Sequence, residues 1–339
     1  MRETSDLVEL EVEGLGARGD GIAEHEGEPV FLPFTAPGDR VRARLGVRRS
    51  GGREDRVVEW LAAGPGRHEP PCRHFGDCGG CALQHLDPAS YRAAKLSALY
   101  AALGRVKIDP DLVQPLRVVP PARRRARLGL MRPRDPHLPG QIGYRQRFRH
   151  DLVDLAECVV LEPSLLDLVG GLRLMARDLL PPGGGAEIML TRTDSGIDVL
   201  FETVVPLTLA TLEALARFAE DCDLARIVWR FPAEEILVVE RRPVRVLLSG
   251  VPVPFPPGGF LQASAAAEAI LVAEVLAGTG DRRPVLDLFA GSGTFTFALA
   301  EGGRVHAVEA TNTPLPRSRQ PPAAAPASRS SGAISPATR

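Results

Sequence analysis

The sequence predicts a multidomain protein: a small N-terminal β-barrel, a central α+β domain around a cysteine cluster, and the start of a parallel α/β domain. Three observations predict this order. Short strand-like runs alternate with turn signals up to Trp60, and three thiols follow at Cys72, Cys78 and Cys81. A strand, a glycine turn, a helix and a second strand then run from 284 to 309. The expected domains are 1–62, 63–250 and 251–309, followed by a tail at 310–339.

Length and charge limit the function classes. A chain of 339 residues with 44% hydrophobic content can hold two or three cores, and it has no apolar run of membrane-spanning length. Its 41 basic and 42 acidic residues give a net charge of -1, so affinity for nucleic acid has to come from local patches. Residues 1–10 contain Glu3, Asp6 and Glu9 and no apolar signal segment, which favours a reducing cytosol. We expect a cytoplasmic monomer that does not associate with membranes.

The first 62 residues have the pattern of an all-β barrel of the oligonucleotide-binding (OB-like) kind. Turn signals lie between the strand-like runs, for example from Gly14 to Gly21. The run from Gly19 to Glu24 and the run from Val30 to Val41 resemble the TRAM domain, which is found on RNA-modifying enzymes. The alternative is another β-barrel with exposed arginines. The strand-like runs are 8–12, 29–33, 41–45 and 57–60.

Four cysteines form a candidate metal or cluster site. Gly79 and Gly80 allow the backbone to fold tightly around a bound centre. A complete shell of four thiolates suits an iron–sulfur cluster, and a four-cysteine zinc site remains the alternative. A reducing compartment argues against disulfides. Cys222 stands apart and is predicted to be a packed thiol. The four candidate ligands are Cys72, Cys78, Cys81 and Cys158.

A basic stretch follows the cysteines and is a candidate RNA contact. Arginines alternate with apolar and aromatic residues on both sides of a proline-rich turn, so one face could present guanidinium groups to phosphates. Tyr144 or Phe148 would offer a stacking surface for a base. The alternative is a solvated strand face. The arginines lie at 123–125, 127, 132, 134, 145, 147 and 149.

The rest of the central domain predicts a mixed α+β fold without a catalytic constellation. A helix is expected to begin after Asp87 and to end near Gly104, because Asp87 is a suitable cap and Pro88 suits the first turn. Helix and strand patterns alternate from Ser164 to Arg245. The histidines of the chain are scattered without metal-ligand spacing. We interpret this domain as a platform that shapes the substrate.

The stretch from Pro284 to Glu309 predicts a β-α-β unit that binds a nucleotide-like ligand. Gly291 and Gly293 let the backbone approach the ligand, and Glu309 at the end of the second strand can accept hydrogen bonds from ribose hydroxyls. The turn lacks the full Gly-x-Gly-x-x-Gly signature of dinucleotide binding. With Asp287 before the glycines, it resembles motif I of the Rossmann-like class I methyltransferases, which bind S-adenosylmethionine.

The order of these features resembles the RNA (uracil-5-)-methyltransferase family, TRAM-bearing enzymes with a [4Fe-4S] cluster that act on 23S ribosomal RNA or transfer RNA. The resemblance extends from about Leu7 to Glu309. It implies that the four candidate cysteines ligate the cluster, and that RNA is the partner, 23S rRNA first and tRNA second. Ala263 and Ser264 stand where the family usually has an asparagine nearby, and Thr294 replaces a common asparagine. The implied contacts to S-adenosylmethionine are Gln262, Phe289, Thr294 and Glu309.

The end of the sequence departs from the family. There, a cysteine attacks C6 of uracil and a carboxylate later removes the C5 proton, and both belong to parts of the methyltransferase domain that we do not find before residue 310. Catalytic residues are therefore unassigned, and the chain is expected to be truncated and catalytically incomplete. Residues 310–339 contain no Asp or Glu, and they are expected to be disordered and the product of a shifted reading frame. The alternative function is a non-catalytic RNA-binding protein with a four-cysteine iron–sulfur or zinc site.

Overall fold

A computed structural model gives the fold of the chain as two compact units. The first unit contains Met1–Val118 and Tyr144–Val153, and the second contains Val119–Gly143 and Asp154–Arg339. The finer boundaries at 62, 250 and 309 stay predictions. The structure describes residues 7–46, 55–109, 111, 113, 116–147, 149–232, 234–281 and 284–310, with the backbone of 329–330.

The N-terminal strands form two three-stranded antiparallel sheets that share one core. The strands are β1 (Leu7–Glu11), β2 (Gly14–Leu15), β3 (Gly21–His25), β4 (Glu28–Leu32), β5 (Arg40–Arg44) and β6 (Arg56–Ala62). Their orders are β1-β5-β6 and β2-β3-β4. Alternate side chains point inward, as expected for strands with one buried face. The sequence pattern did not predict β2 or β3. The strand β2 lies within the turn-rich run from Gly14 to Gly21, and β3 begins at its last residue. The shared core consists of Leu10, Val12, Ala23, Val30, Leu32, Val41 and Ala43.

A buried carboxylate holds the end of this β region to the chain that follows it. Asp39 is fully buried, and its oxygens accept hydrogen bonds from the backbone N–H groups of Ala36 and Gly64 at 2.6 and 2.8 Å. Arg67 adds a forked contact, with Nε and Nη2 both 3.0 Å from a carboxylate oxygen of Asp39. A buried charge is tolerated only when it is paired and hydrogen-bonded, and here both conditions are met.

The helix α1 (Pro88–Arg105) has the start that the sequence predicted. Asp87 is the N-cap and accepts a hydrogen bond from the Ser90 N–H at 2.6 Å, which lowers the pKa of the Asp87 carboxyl. Pro88 occupies the first turn, where its missing N–H costs nothing. Within the described part of the chain, no helix is both long and apolar enough to cross a membrane.

The second unit is built on a six-stranded mixed sheet. Its strands are β7 (Arg125–Met131), β8 (Gln141–Gly143), β9 (Gly185–Thr193), β10 (Gly196–Glu202), β11 (Arg226–Phe231) and β12 (Glu234–Glu240), in the order β12-β11-β10-β9-β7-β8. Only β10 and β11 pair in parallel. The helix α2 (Pro163–Leu179) packs against β7, β8 and β9, and α3 (Leu209–Asp221) packs against β11 and β12. The helices and strands predicted between 164 and 245 are present.

The remaining elements form a hairpin and the start of a parallel sheet. They are β13 (Arg245–Leu248), β14 (Val251–Pro254), α4 (Ala265–Thr279), β15 (Val285–Leu288), α5 (Thr294–Glu301), β16 (Val305–Val308) and β17 (Arg329–Ser330). The sequence predicted a sheet of two strands, β15 and β16, and β17 adds a two-residue parallel strand beside β16. The tail residues 311–328 and 331–339 lie outside the described residues.

A buried histidine in the first unit is expected to couple its stability to pH. His85 is fully buried, and its Nε2 lies 3.0 Å from the Thr35 carbonyl oxygen. Burial is the main cause that lowers the pKa of His85 below its ordinary value, and the charge of Arg67 and the proximity of His68 also lower it. The bond to Thr35 and the charge of Asp39 act in the opposite direction. The folded protein therefore favours neutral His85.

We expect the free energy of unfolding to fall as the pH is lowered from 7.5 through about 6.5, the ordinary pKa of histidine in the unfolded chain. A group with a depressed folded pKa binds its proton more readily when unfolded, so its stabilisation is present above that pH and is lost below it. Urea unfolding at pH 7.5 and 5.5 measures the effect. His85→Gln should reduce the difference between the two pH values, whereas His137→Gln, at an exposed position, should leave it unchanged. An unchanged difference in His85→Gln would refute this assignment.

Candidate cofactor site

The unit β15–turn–α5–β16 brings the carboxyl ends of two parallel strands to one edge. β15 and β16 pair in register from Val285 opposite Val305 to Leu288 opposite Val308. The Ala290 N–H donates to the Val308 carbonyl at 3.1 Å, which holds the turn against the second strand. Ligands of open parallel sheets bind at this edge, outside the carboxyl ends of the strands. The predicted β-α-β unit is therefore present in the structure.

The glycine turn, residues 289–293, adopts a backbone that side chains rarely allow. Phe289, Gly291 and Gly293 have φ angles of 58°, 57° and 96°. A Cβ at Gly293 would lie 2.6 Å from the Phe297 ring, so a glycine is required where the chain enters α5. Phe289 is 85% exposed, although it follows the apolar strand β15 directly. A strained aromatic residue that faces outward at this edge is typical of a ligand-binding turn.

Two carboxylates brace the glycine turn. A Glu309 oxygen accepts a hydrogen bond from the Gly291 N–H at 2.7 Å. On the other side, the Thr296 hydroxyl of α5 donates to Asp287 of β15 at 2.5 Å. The structure thus brings Phe289, Thr294 at the start of α5, and Glu309 to one turn, and their contact with S-adenosylmethionine stays a prediction. In this structure Glu309 contacts the turn itself.

Gln262 lies near the end of a loop, residues 255–263. Carbonyl oxygens of this loop accept hydrogen bonds from arginines that lie in, or next to, the six-stranded sheet of the second unit. Leu261 and Phe255 of the loop belong to one buried cluster, and Phe297 of α5 packs against that cluster. The loop that carries Gln262 therefore shares a core with the helix that follows the glycine turn. The contacts are Arg226 to the Phe255 carbonyl at 3.0 Å, Arg230 to Pro257 at 3.4 Å, Arg125 to Gly258 at 3.5 Å, and Arg124 to Gln262 at 3.0 Å.

Several of the arginines that the sequence assigned to RNA phosphates have partners within the chain, and their contact with RNA stays a prediction. Arg127 lies 2.7 Å from Glu202, and Arg132 donates to the carbonyls of Arg177 and Leu180. Intramolecular carboxylates and carbonyls compete with phosphates for the same N–H donors. Further examples are the pairs Arg124–Glu268 and Arg147–Asp20.

Of the two predicted stacking aromatics, the structure describes Tyr144, which is half-buried. Tyr144 packs on the cysteine loop, because a Cβ at Gly80 would lie 3.4 Å from its ring. Phe148 lies outside the described residues. Arg134 and Arg149 are exposed, so they remain candidates for contact with nucleic acid.

The cysteine loop, residues 72–81, has a compact backbone that requires its glycines. The Cys78 N–H donates to the His74 carbonyl at 2.9 Å, and the Gly79 N–H donates to the Arg145 carbonyl at 2.9 Å. A Cβ at Gly79 would lie 2.7 Å from that Arg145 oxygen. The Gly80 N–H points at the Cys78 sulfur at 3.4 Å. Backbone N–H groups directed at sulfur favour the thiolate form and tune iron–sulfur centres.

None of the four predicted ligands forms a disulfide, and Cys158 lies in the second unit. Among the described residues, no group of three or more His, Cys, Asp or Glu side chains is arranged to hold a metal ion. The four-thiolate centre stays a prediction. Cys222 is the C-cap of α3, and burial, followed by the charge of Asp221, raises the pKa of its thiol. A raised pKa opposes a role as nucleophile, in agreement with its interpretation as a packed thiol.

Sequence reasoning missed the bridge between Arg124 and Glu268. The two residues are 144 positions apart, so no local pattern connects them. One signal was available. Glu268 is the only charged residue in the first turn of the alanine-rich helix α4, and both Glu268 and its partner are nearly buried, with side chains 12% and 14% exposed.

Comparisons with known proteins show the family to which the chain is similar. The TRAM domain family matches residues 3–46, within the predicted 1–62. An RNA methyltransferase of Brucella suis is 35% identical over 306 residues, which are 90% of this chain and 71% of that protein. The 23S rRNA (uracil(1939)-C(5))-methyltransferase RlmD of Alkalilimnicola ehrlichii is 33% identical over 335 residues, 92% of this chain and 72% of that protein.

A solved structure adds a likeness in fold. The tRNA (uracil-54, C5)-methyltransferase of Pyrococcus abyssi, in complex with S-adenosyl-L-homocysteine, superposes with a TM-score of 0.61 at 22% identity, over 89% of this chain and 73% of that one. The identity to the bacterial relatives exceeds 30% across more than two thirds of their length. The chain therefore belongs to the TRAM-domain RNA (uracil-5-)-methyltransferase family.

Proposed function

We propose that this protein acts in S-adenosylmethionine-dependent formation of 5-methyluridine in RNA. The observation that carries the proposal is the 33% identity to a 23S rRNA uracil-C5 enzyme across 92% of the chain. Ribosomal RNA is the first candidate substrate for this reason. Transfer RNA is the second, because the solved relative that shares the fold acts on tRNA. The proposed compartment is the cytoplasm, where cysteines stay reduced.

The glycine turn fits S-adenosylmethionine in its chemistry. The cofactor would supply the methyl group. Gly291 and Gly293 leave the backbone open to a ligand, and a Cβ at Gly291 would meet nothing within 4 Å. Glu309 offers carboxylate oxygens to ribose hydroxyls, and Phe289 offers an exposed ring. Gln262 and Thr294 are the other proposed contacts.

The cysteine loop is proposed to hold a [4Fe-4S] cluster together with Cys158. Support comes from the donor set, four reduced thiols in one chain, and from the Gly80 N–H directed at the Cys78 sulfur. Zinc, with the same four thiolates, is the alternative. The cluster would be held by the cysteine loop and by Cys158, and we assign it no step of the reaction.

We expect the chain to bind S-adenosylhomocysteine, and Glu309→Ala to weaken that binding by about tenfold or more, because a hydrogen bond to a charged group is worth roughly 1.5–3 kcal/mol. Titration calorimetry measures the dissociation constants. Glu301→Ala, an exposed carboxylate at the end of α5, is the matched control and should bind like the unchanged protein. No binding by the unchanged chain, or equal binding by Glu309→Ala, would contradict the cofactor assignment.

Transfer of label from S-adenosylmethionine to 23S rRNA or tRNA transcripts, followed by nucleoside analysis, decides between the two functions with the same preparations. Label in 5-methyluridine establishes the enzyme. RNA binding without transfer favours the non-catalytic RNA-binding protein, and label in a different nucleoside contradicts the proposed reaction.

We expect anaerobically purified protein to contain about four irons per chain and to show the broad visible absorption of a [4Fe-4S] cluster. Cys78→Ser should remove both signals, because the buried Cys78 is one of the four proposed ligands. Cys222→Ser, which alters the cysteine outside the proposed set, should keep both. About one zinc and no iron after anaerobic reconstitution would select the zinc alternative.

A further inference from the structure

Arg124 connects three separate parts of the second unit. Its backbone N–H donates to the Ala263 carbonyl at 2.8 Å, and its Nε donates to the Gln262 carbonyl at 3.0 Å. Its Nη2 donates to Glu268 at 2.7 Å, in the first turn of α4. One arginine therefore holds the carbonyl groups of two consecutive residues, Gln262 and Ala263, and also the start of the next helix.

The surroundings make this bridge stiff. The side chains of Arg124 and Glu268 are 14% and 12% exposed, so little water competes for their hydrogen bonds. Burial is the main cause that raises the pKa of Glu268, while Arg124 acts to lower it. Ser264 caps α4 by accepting a hydrogen bond from the Ala267 N–H at 3.3 Å. The turn from Gln262 into α4 thus has fixed contacts at each step.

The same bridge lies next to the proposed cofactor site. Leu261, the residue before Gln262, is buried in the cluster that Phe297 of α5 packs against. The helix α4 also packs against α5. The backbone position of Gln262 is therefore fixed by Arg124 and by the buried cluster that contains Leu261.

We propose that Arg124 and Glu268 are positioning residues for S-adenosylmethionine, which act on the cofactor through Gln262. This inference rests on the proposed function, in which Gln262 contacts the cofactor. The arginine holds the Gln262 backbone in one place before the ligand arrives, so that less conformational freedom is lost on binding. The glutamate holds the guanidinium in the orientation that reaches the Gln262 carbonyl. Arg124 itself does not touch the cofactor in this assignment.

The test is a double-mutant cycle on the affinity for S-adenosylhomocysteine, measured by calorimetry. Arg124→Gln, Gln262→Ala and the double variant are compared with the unchanged protein. We expect about tenfold weaker binding for each single variant. In the Arg124→Gln background, Gln262→Ala should cost less than about threefold, because a misplaced Gln262 has little left to lose. A purely structural role for Arg124 would give additive effects.

Two further variants keep the test valid if Arg124→Gln folds poorly. Arg124→Lys keeps a positive charge beside Glu268 but lacks the fork that serves the carbonyl and the carboxylate together, so we expect binding between those of the unchanged protein and Arg124→Gln. Glu268→Gln should weaken binding with no change at any proposed cofactor contact.

Arg173→Gln is the matched control. Arg173 also bridges a carboxylate and a carbonyl, with Nη2 3.0 Å from Asp154 and 2.6 Å from the Leu155 oxygen, but it lies on α2. Arg173→Gln should lower the melting temperature of the protein and leave its affinity for S-adenosylhomocysteine unchanged.

Each outcome has a separate meaning. If the unchanged chain does not bind S-adenosylhomocysteine, the cofactor assignment fails and this inference fails with it. If the unchanged chain binds and Gln262→Ala has no effect, Gln262 is not a contact and the positioning role is refuted. If both single variants weaken binding but their effects add, the cofactor assignment stands and the positioning role alone is overturned.

Discussion

A buried ion pair between Asp198 and Arg226 is the interaction on which the second unit depends. The two residues are directly opposite each other in the parallel pair β10–β11, and their side chains are 1% and 9% exposed. Nε of Arg226 lies 2.7 Å from Asp198, and its Nη2 donates to the Phe255 carbonyl at 3.0 Å. Burial is the main cause that raises the pKa of Asp198, and Arg226 opposes it. Removing one partner of such a pair would leave an uncompensated charge inside the protein.

This pair explains why the central sheet can carry the loop that bears Gln262. The carbonyl groups of a proline- and glycine-rich loop have no regular partners, because the loop forms neither a helix nor a strand. Guanidinium groups from β11, from β7 and from the residue before β7 supply the missing donors. The loop in turn covers apolar side chains on the sheet, since a Cβ at Gly258 would lie 2.7 Å from Leu200, a member of the buried cluster with Met189 and Val228. The glycine permits that close approach.

The sequence predicted those parts of the structure that depend on neighbouring residues. The cap at Asp87, the strands β9 and β10, and the β-α-β unit around the glycine turn all follow from local patterns, and the structure confirms them. The hairpin β13–β14 was missed because its strands have four residues each and β14 contains two prolines. The partners of Arg124 and Arg127 were also missed. A run of arginines looks the same whether its charges face solvent or distant carboxylates, and only the folded chain brings those carboxylates near.

The glycine turn has a consequence for how a ligand would enter it. Phe289 holds a left-handed backbone, and Glu309 accepts the hydrogen bond of the Gly291 N–H. The Glu309 carboxylate thus keeps the turn in shape, because it accepts the hydrogen bond that an acceptor group of a ligand would also accept. A ligand that accepts a hydrogen bond from the Gly291 N–H would replace the bond to Glu309, and the turn would already have its bent backbone. The selectivity of the turn for a ligand therefore has to come from groups that a carboxylate lacks, such as a flat ring beside Phe289 or a pair of hydroxyls.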